Sequence, residues 1–289
     1  MDERPAIAFI GAGRVAGMLA RAFAELGYPV PAVASRSPQS AQRVASLLTG
    51  CRAVSLQDAA NSAGVVFITT SDGAVNEVAS GVAWRAGQGV VHCSGALTCE
   101  PLAPARAAGA SVGSWHPFQT FGGETTLAGV TFGIEAEGEL LAFLERLASE
   151  VGGHPLRVPA DARALYHAAS VLSCGYLTTL LGEARTLWTR AGLPPEQAFQ
   201  AITHIARTTV TNIERFGAET ALTGPTSRGD TGTVQLHLEA VRGVAPELLP
   251  LYREICLRSV ELAREAGRAG GDMDLRPLLA EYEEGGAGS

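Results

Sequence analysis

The chain has 289 residues, enough for one large domain or two ordinary ones. Hydrophobic residues make up 46% and charged residues 18%, a balance that suits a globular protein with a sizeable core. The formal net charge of −7, with no arginine-rich run, argues against a nucleic-acid partner.

In chain order, "AIAFIG" predicts a first strand, and "RVAGMLARAFAELG" a helix with apolar residues at Val15, Met18, Leu19, Ala22 and Phe23 and a stop at Gly27. Between them "FIGAGRVAG" places Gly11, Gly13 and Ala16 in a G-x-G-x-x-A spacing. Gly11 suits the tight turn, Gly13 the close approach of a pyrophosphate, and Ala16 the packing of helix on strand. Arg14 and Val15 open the helix whose N–H groups would face the anion. "VPAVA" predicts the second strand, and Ser37-Pro38 an N-cap and first position of a helix to about Leu48. The second strand ends in "ASRS", with no acid to accept from a ribose 2′-hydroxyl. Ser35, Arg36 and Ser37 would instead meet a 2′-phosphate, which favours NADP over NAD.

"VVFITT" and "GVVHC" are continuous apolar runs, as expected of parallel strands buried on both faces. "ASVGSW", "VTFGIE" and "HPLRV" predict further strands, with a helix over "GELLAFLERLASEVG". Three strand ends are unusually polar: Thr69, Thr70, Ser71 and Asp72; then Ser94 and Gly95; then His116, Pro117, Gln119 and Thr120, where the proline is expected to end the strand at Trp115. Ligands of open α/β sheets sit at such carboxyl ends. His116 is therefore the expected acid or base near neutral pH, Ser94 the group orienting a substrate oxygen, and Thr70 and Ser71 cofactor contacts. Each also has a purely structural reading: Ser71 or Asp72 as a helix cap, Ser94 as a turn residue, His116 as an imidazole bonded to loop backbone.

Beyond Pro159 no strand signal remains. A helical stretch from Asp161 to about Gly192 would run about 48 Å. Its first half, "ALYHAASVLSCGYLTTLL", is apolar nearly all round, which predicts burial on several sides and a homodimer core. Further helices follow, and the tail "EYEEGGAGS" reads as frayed. The expected division is a Rossmann domain over 1–158 and a helical domain over 159–289. All 22 basic residues are arginine, which excludes Schiff-base chemistry and a lysine acid. Apolar runs read as strand-sized, so no membrane span is expected, and "MDERPAIAFIGAG" lacks a signal peptide's basic flank. Five scattered cysteines suit a reducing cytoplasm; Cys93 and Cys99 with His92 match no zinc spacing, and no metal is expected.

The blocks "GAGRVAG", "HCSGAL", "GSWHPFQTF", "LYHAASVLSCGYL" and "LTGPTSRGDTGTVQLHLEAV" resemble, in order, those of the Rossmann-like and DUF2520 domain family of NADP-dependent oxidoreductases. The resemblance implies a mostly parallel α/β Rossmann domain followed by an all-α domain like the C-terminal domain of 6-phosphogluconate dehydrogenase. More distantly, Ser94 and His116 match the catalytic serine and histidine of prephenate dehydrogenases. The loop Gly224 to Thr233 is similar to the carboxylate-binding loop of pyrroline-5-carboxylate reductases, which implies substrate contacts from Thr226, Ser227 and Arg228, with Gln119 from the strand end. Thr231 or Asp230 could equally cap the next helix. β-Hydroxyacid dehydrogenases place a lysine near the start of the long helix. Here His167 stands in roughly that region and is a second catalytic candidate. His237 either faces the cleft or packs in the interior, and His154 and His204 read as structural. The expected function is hydride transfer to or from a C=O or C=N carbon of a small, carboxylated metabolite. The rival is an NADP-binding sensor or scaffold without catalysis, and a deazaflavin partner stays open.

Overall fold

A computed structural model describes residues 4–122, 126–267 and 274–282. The chain forms two compact units, Met1–Cys174 and Gly175–Ser289.

The first unit is built on an eight-stranded sheet: β1 (Ile7–Ile10), β2 (Ala32–Ala34), β3 (Arg52–Ala53), β4 (Val65–Ile68), β5 (Gly89–His92), β6 (Ser111–Pro117), β7 (Thr131–Glu135) and β8 (His154–Arg157), in the order β3-β2-β1-β4-β5-β6-β7-β8. Every neighbouring pair is parallel except β6 with β7. The fold is therefore the expected Rossmann-type α/β unit followed by helices. The runs read as doubly buried strands are so: β1, β4 and β5 are buried at every position. Phe9, Phe23, Phe67, Trp115 and Phe132 form one aromatic core on one face, with Trp115 stacked on Phe132 at 4.0 Å and its indole N–H donating to the Leu144 carbonyl. The two-residue edge strand β3 carries no apolar pattern, which is why the sequence did not disclose it.

Two local expectations are corrected. The strand does not end at Trp115: His116 and Pro117 are its last two residues, paired with Gly133 and Phe132 of β7. A proline is tolerated there because the final strand position requires no ladder N–H. The long helical stretch is likewise not one uniform α-helix. After the turn Ala160–Ala162 it runs as Arg163–Val171, a π segment Leu172–Tyr176, and Leu177–Arg190. Within the single chain its apolar side chains are not buried; Leu165 is 78% and Leu172 62% exposed. The stretch Ala160–Arg190 is also, by length and a mean hydropathy of 1.2, sufficient to cross a membrane, unlike the strand-sized runs expected. That property is shared by the central helices of soluble assemblies.

Among the described residues the last strand ends at Arg157 and only helices follow, whereas the compact units divide at Cys174. Arg163–Val171 thus belongs with the sheet, because Arg163 is buried against it. The second unit packs Val234, Leu238 and Val241 of the helix Thr231–Val244 with Leu249, Cys256 and Val260 of Leu249–Glu265, and with Leu275 and Leu279. Asp230 caps Thr231–Val244, accepting from the Thr233 N–H at 3.0 Å. Most of the tail read as frayed lies outside the described residues.

Candidate active site

The glycine loop leaves β1 at Gly11, whose φ of +115° only glycine adopts without strain. A Cβ there would lie 2.6 Å from the Thr69 backbone, so the turn is pressed against the end of β4. Thr69 Oγ1 donates to the Gly11 carbonyl at 3.0 Å. Gly11→Ala is expected to lower unfolding stability by about 2 kcal/mol or more in urea titrations, through strain and contact together. Gly13 is the N-cap of the helix Arg14–Glu25 and caps it with no side chain, while a Cβ at Gly13 would meet nothing within 4 Å. Open space over uncapped N–H groups is what a pyrophosphate needs. Ala16 is fully buried beneath, and Arg14 is exposed at the mouth.

At the end of β2 the cap reading of Ser37 holds: its Oγ accepts from the Ser40 N–H at 3.2 Å, with Pro38 at the first helical position. Ser35 Oγ accepts from the Ser37 N–H at 3.3 Å. Arg36 is exposed and forms no hydrogen bond or ion pair among the described residues. Of these three candidates, Arg36 has its charge uncommitted.

The three polar strand ends meet in one cavity of about 310 Å³. Its wall includes Val15 from the glycine-loop helix, Thr70, Ser94, His116, Gln119 and His167. A larger hollow of about 800 Å³ along Arg21, Met18 and Leu127 gathers no imidazole. Thr70 Oγ1 is buried without a hydrogen-bond partner among the described residues, so the wall carries a polar atom that the chain leaves unsatisfied. Ser71 does not reach the wall; Asp72, its neighbour, does. Ser94 is both turn residue and wall residue. Its Oγ accepts from the N–H groups of Ala96 (3.2 Å) and Leu97 (3.1 Å), which leaves its own O–H to donate. Gln119 turns its Oε1 onto the Thr120 N–H at 2.8 Å.

His116 lies 2.9 Å through Nδ1 from the Tyr166 hydroxyl, and its ring stands edge-on to that of His167 at 5.9 Å. Burial, reinforced by the neighbouring His167, Arg163 and His92, holds its pKa down at about 4. At neutral pH it is therefore a neutral imidazole rather than one titrating near pH 7. Gly95 lies between the two rings: a Cβ there would be 2.6 Å from His167 Cδ2 and 2.7 Å from His116 Nε2. His92, by contrast, is fully committed. Its Nε2 donates to the Thr98 carbonyl at 2.9 Å and its Nδ1 accepts from the Ser94 N–H at 3.2 Å, and burial lowers its pKa to about 4.

Five residues in and around this site escaped the sequence reading: Ser114, Glu135, Arg163, Tyr166 and Ser170. Arg163 is buried, with Nε 3.3 Å from Glu135 Oε2 and a hydrogen bond to Ser114 Oγ. Ser114 in turn donates to the Ser94 carbonyl at 3.4 Å, and Glu135 Oε1 accepts from the Cys99 N–H at 3.1 Å. Arg163 thus moors the helix that carries Tyr166, His167 and Ser170 to the strand ends that carry Ser94 and His116. The available signal was spacing. Arg163, Tyr166, His167 and Ser170 recur at three and four residues within an apolar run, which puts them on one helical face.

The remaining candidates belong to the second unit. Ser227 is buried and its hydroxyl donates to the Gly224 carbonyl at 2.9 Å, closing the turn of the short helix Pro225–Arg228, which Thr226 shares. Arg228 is exposed, and Asp230 takes the capping role. His237 is exposed, with Nδ1 2.8 Å from the Tyr252 hydroxyl.

Residues 1–117 match the Rossmann-like domain, and residues 130–259 match a domain of unknown function, DUF2520. No curated protein matches the chain. Among solved structures, a protein from Bacteroides fragilis proposed to be an NADP oxidoreductase is 24% identical, with a TM-score of 0.74 over 90% of this chain and 99% of that one. A reductive aminase from Aspergillus terreus, in complex with NADPH and ethyl levulinate, is 21% identical with a TM-score of 0.63 over 96% and 98%. A 1-pyrroline-5-carboxylate reductase from Streptococcus pyogenes is 14% identical with a TM-score of 0.63 over 90% and 98%. At these identities the likeness is one of fold.

Proposed function

We propose that the chain, which matches a Rossmann-like domain over residues 1–117 and a DUF2520 domain over residues 130–259, is an NADP-dependent oxidoreductase acting on a C=O or C=N carbon of a small metabolite. One observation carries the reading. The helix that follows the glycine loop and the pair His116 and His167 line the same cavity, so a dinucleotide laid on the loop would end beside two imidazoles and the Ser94 hydroxyl. The neighbours named above, one of them in complex with NADPH, support the choice of cofactor class.

The cofactor, when bound, supplies or takes the hydride. The residues of the chain do the rest. Gly11, Gly13, Arg14, Val15 and Ala16 present backbone and charge to the pyrophosphate, and Arg36 with Ser35 meets the 2′-phosphate. Ser94 orients the substrate oxygen or nitrogen through its free O–H, and the imidazole of His116 bonds the same atom. Arg228 is proposed as an anion-holding side chain of the second unit. The exposed apolar helix supports assembly as a homodimer, and five free cysteines accord with a reducing cytoplasm.

The test is calorimetric binding of NADPH and NADH, with Arg36→Ala in parallel. NADPH is expected to bind more tightly, and Arg36→Ala to weaken it by about tenfold while leaving NADH within about twofold. Binding of neither nucleotide would end the nicotinamide reading and bring forward a deazaflavin or a cofactor-free role.

A further inference from the structure

We infer that Tyr166 is a positioning residue that holds His116 with its proton on Nε2, so that the cavity offers an N–H donor to an acceptor atom of the substrate: a carbonyl oxygen or an unprotonated imine nitrogen. The inference deepens the function proposed above and rests on His116 standing at the reacting centre.

The contact between Tyr166 and His116 Nδ1 is 2.9 Å and contains one proton, carried either by the phenol or by the ring. The surroundings place it on the phenol. The phenol O–H requires an acceptor, and Nδ1 is the one it reaches among the described residues; a ring proton on Nδ1 would leave that O–H without a bond. Burial raises the Tyr166 pKa to about 12, so the hydroxyl keeps its proton throughout the physiological range. A neutral imidazole that accepts at Nδ1 carries its single N–H at Nε2.

Two glycines make room for this arrangement. Gly133 is the residue paired with His116 across β6 and β7, and a Cβ there would lie 2.5 Å from the Tyr166 hydroxyl oxygen. Any other residue would push the phenol off Nδ1. On the opposite edge of the ring, Gly95 leaves Nε2 uncovered, since a Cβ at that position would stand 2.7 Å from it. Phe118, 5.3 Å from the Tyr166 ring, packs the phenol from the side. One edge of the imidazole is thus locked by the protein, and the other is presented to the cavity.

The chemical consequence is selective. A ketone, an aldehyde or a neutral imine offers a lone pair to Nε2–H, and a neutral imidazole donor polarises such a group without first having to be protonated. A protonated iminium presents its own N–H and would set donor against donor.

The test is a two-bond ¹H–¹⁵N correlation spectrum of the full-length protein labelled in histidine, recorded without substrate at about pH 7, with His116 assigned through His116→Gln. The expected spectrum shows Nε2 protonated and Nδ1 bare in the wild type, and exchange between both tautomers in Tyr166→Phe. The kcat of Tyr166→Phe is expected to fall about tenfold or more with KM within about twofold, the mark of a group acting in the transition state rather than in binding. A wild-type ring protonated at Nδ1, which requires no variant to fold, would overturn the inference, as would an unchanged tautomer in Tyr166→Phe. Full turnover by His116→Ala would instead overturn the functional reading and the substrate class with it, while the spectrum reports the tautomer separately.

Discussion

Replacing His116 by alanine is expected to reduce kcat for NADPH-dependent reduction of carbonyl or imine substrates by about 10²- to 10⁴-fold, the range for loss of a positioned proton-handling group. The Kd for NADPH should stay within about twofold, because the nucleotide-facing residues of the glycine loop and Arg36 are untouched. The imidazole reaches the cavity from the end of β6, held by Tyr166 at Nδ1 and flanked by Gly95, and no other described strand end supplies an imidazole to this wall; His92, at the end of β5, does not line it and has its two nitrogens committed to Thr98 and Ser94. His167 shares the cavity, so His167→Ala is the companion variant that shows whether the two rings divide the work. His116→Ala also leaves the Tyr166 hydroxyl without its acceptor, a loss of about 1 kcal/mol in folding that a urea titration separates from catalysis. Wild-type turnover that survives the change would remove His116 from the mechanism. A wild type that binds NADPH and turns over no substrate would favour the sensor.

Arg163→Met is expected to lower unfolding stability by about 3 kcal/mol, at the lower end of the cost of breaking a buried ion pair. Arg163 is 1% exposed; its Nη2 donates to Ser114 Oγ and its Nε lies 3.3 Å from Glu135 Oε2 as an ion pair, while Nε, Nη1 and Glu135 Oε2 have no hydrogen-bond partner among the described residues. Burial lowers its pKa and the charge of Glu135 opposes that shift, so the pair is held together by mutual need rather than by solvent. The lower end applies because Glu135 retains 21% exposure, and water can compensate part of its charge once the arginine is gone. Glu135→Gln added to Arg163→Met should restore part of the loss, since the double variant strands no charge. Urea unfolding of the four proteins measures the coupling. A loss in the double variant equal to the sum of the two single losses would show that the pair carries no interaction of its own. Because Arg163 anchors the helix bearing Tyr166 and His167, the single variant should also lower kcat, with the secondary structure preserved.

Much of the first unit was legible because its signals are local. The Gly11, Gly13 and Ala16 spacing lies within one turn of chain, and the apolar runs of β1, β4 and β5 are buried on both faces whatever their neighbours. The Ser37 cap could be read from Ser37-Pro38, and the Asp230 cap from its place before "TVQLHL". Less legible was the fate of His116, since the proline beside it signals a strand end without saying whether the histidine stands before it in the ladder or beyond it in a turn. The apolar face of Ala160–Arg190 was visible, but a run of side chains cannot state whether its cover comes from the same chain.

By itself, then, the sequence determined a strand, a phosphate loop and a helix at the start, doubly buried strands after it, a change to helices beyond β8, and a chemistry without lysine, because each of these depends on neighbours a few residues apart. Only the tertiary structure decided which polar groups work together. Tyr166 meets His116 across 50 positions of chain, and Arg163 meets Ser114 across 49. Those meetings depend on β7 returning antiparallel to β6, so that Gly133 faces His116, and on the following helix lying back over the strand ends. Residue spacing carries no record of that return, since it is set by how the sheet and the helix bury their apolar faces against one another.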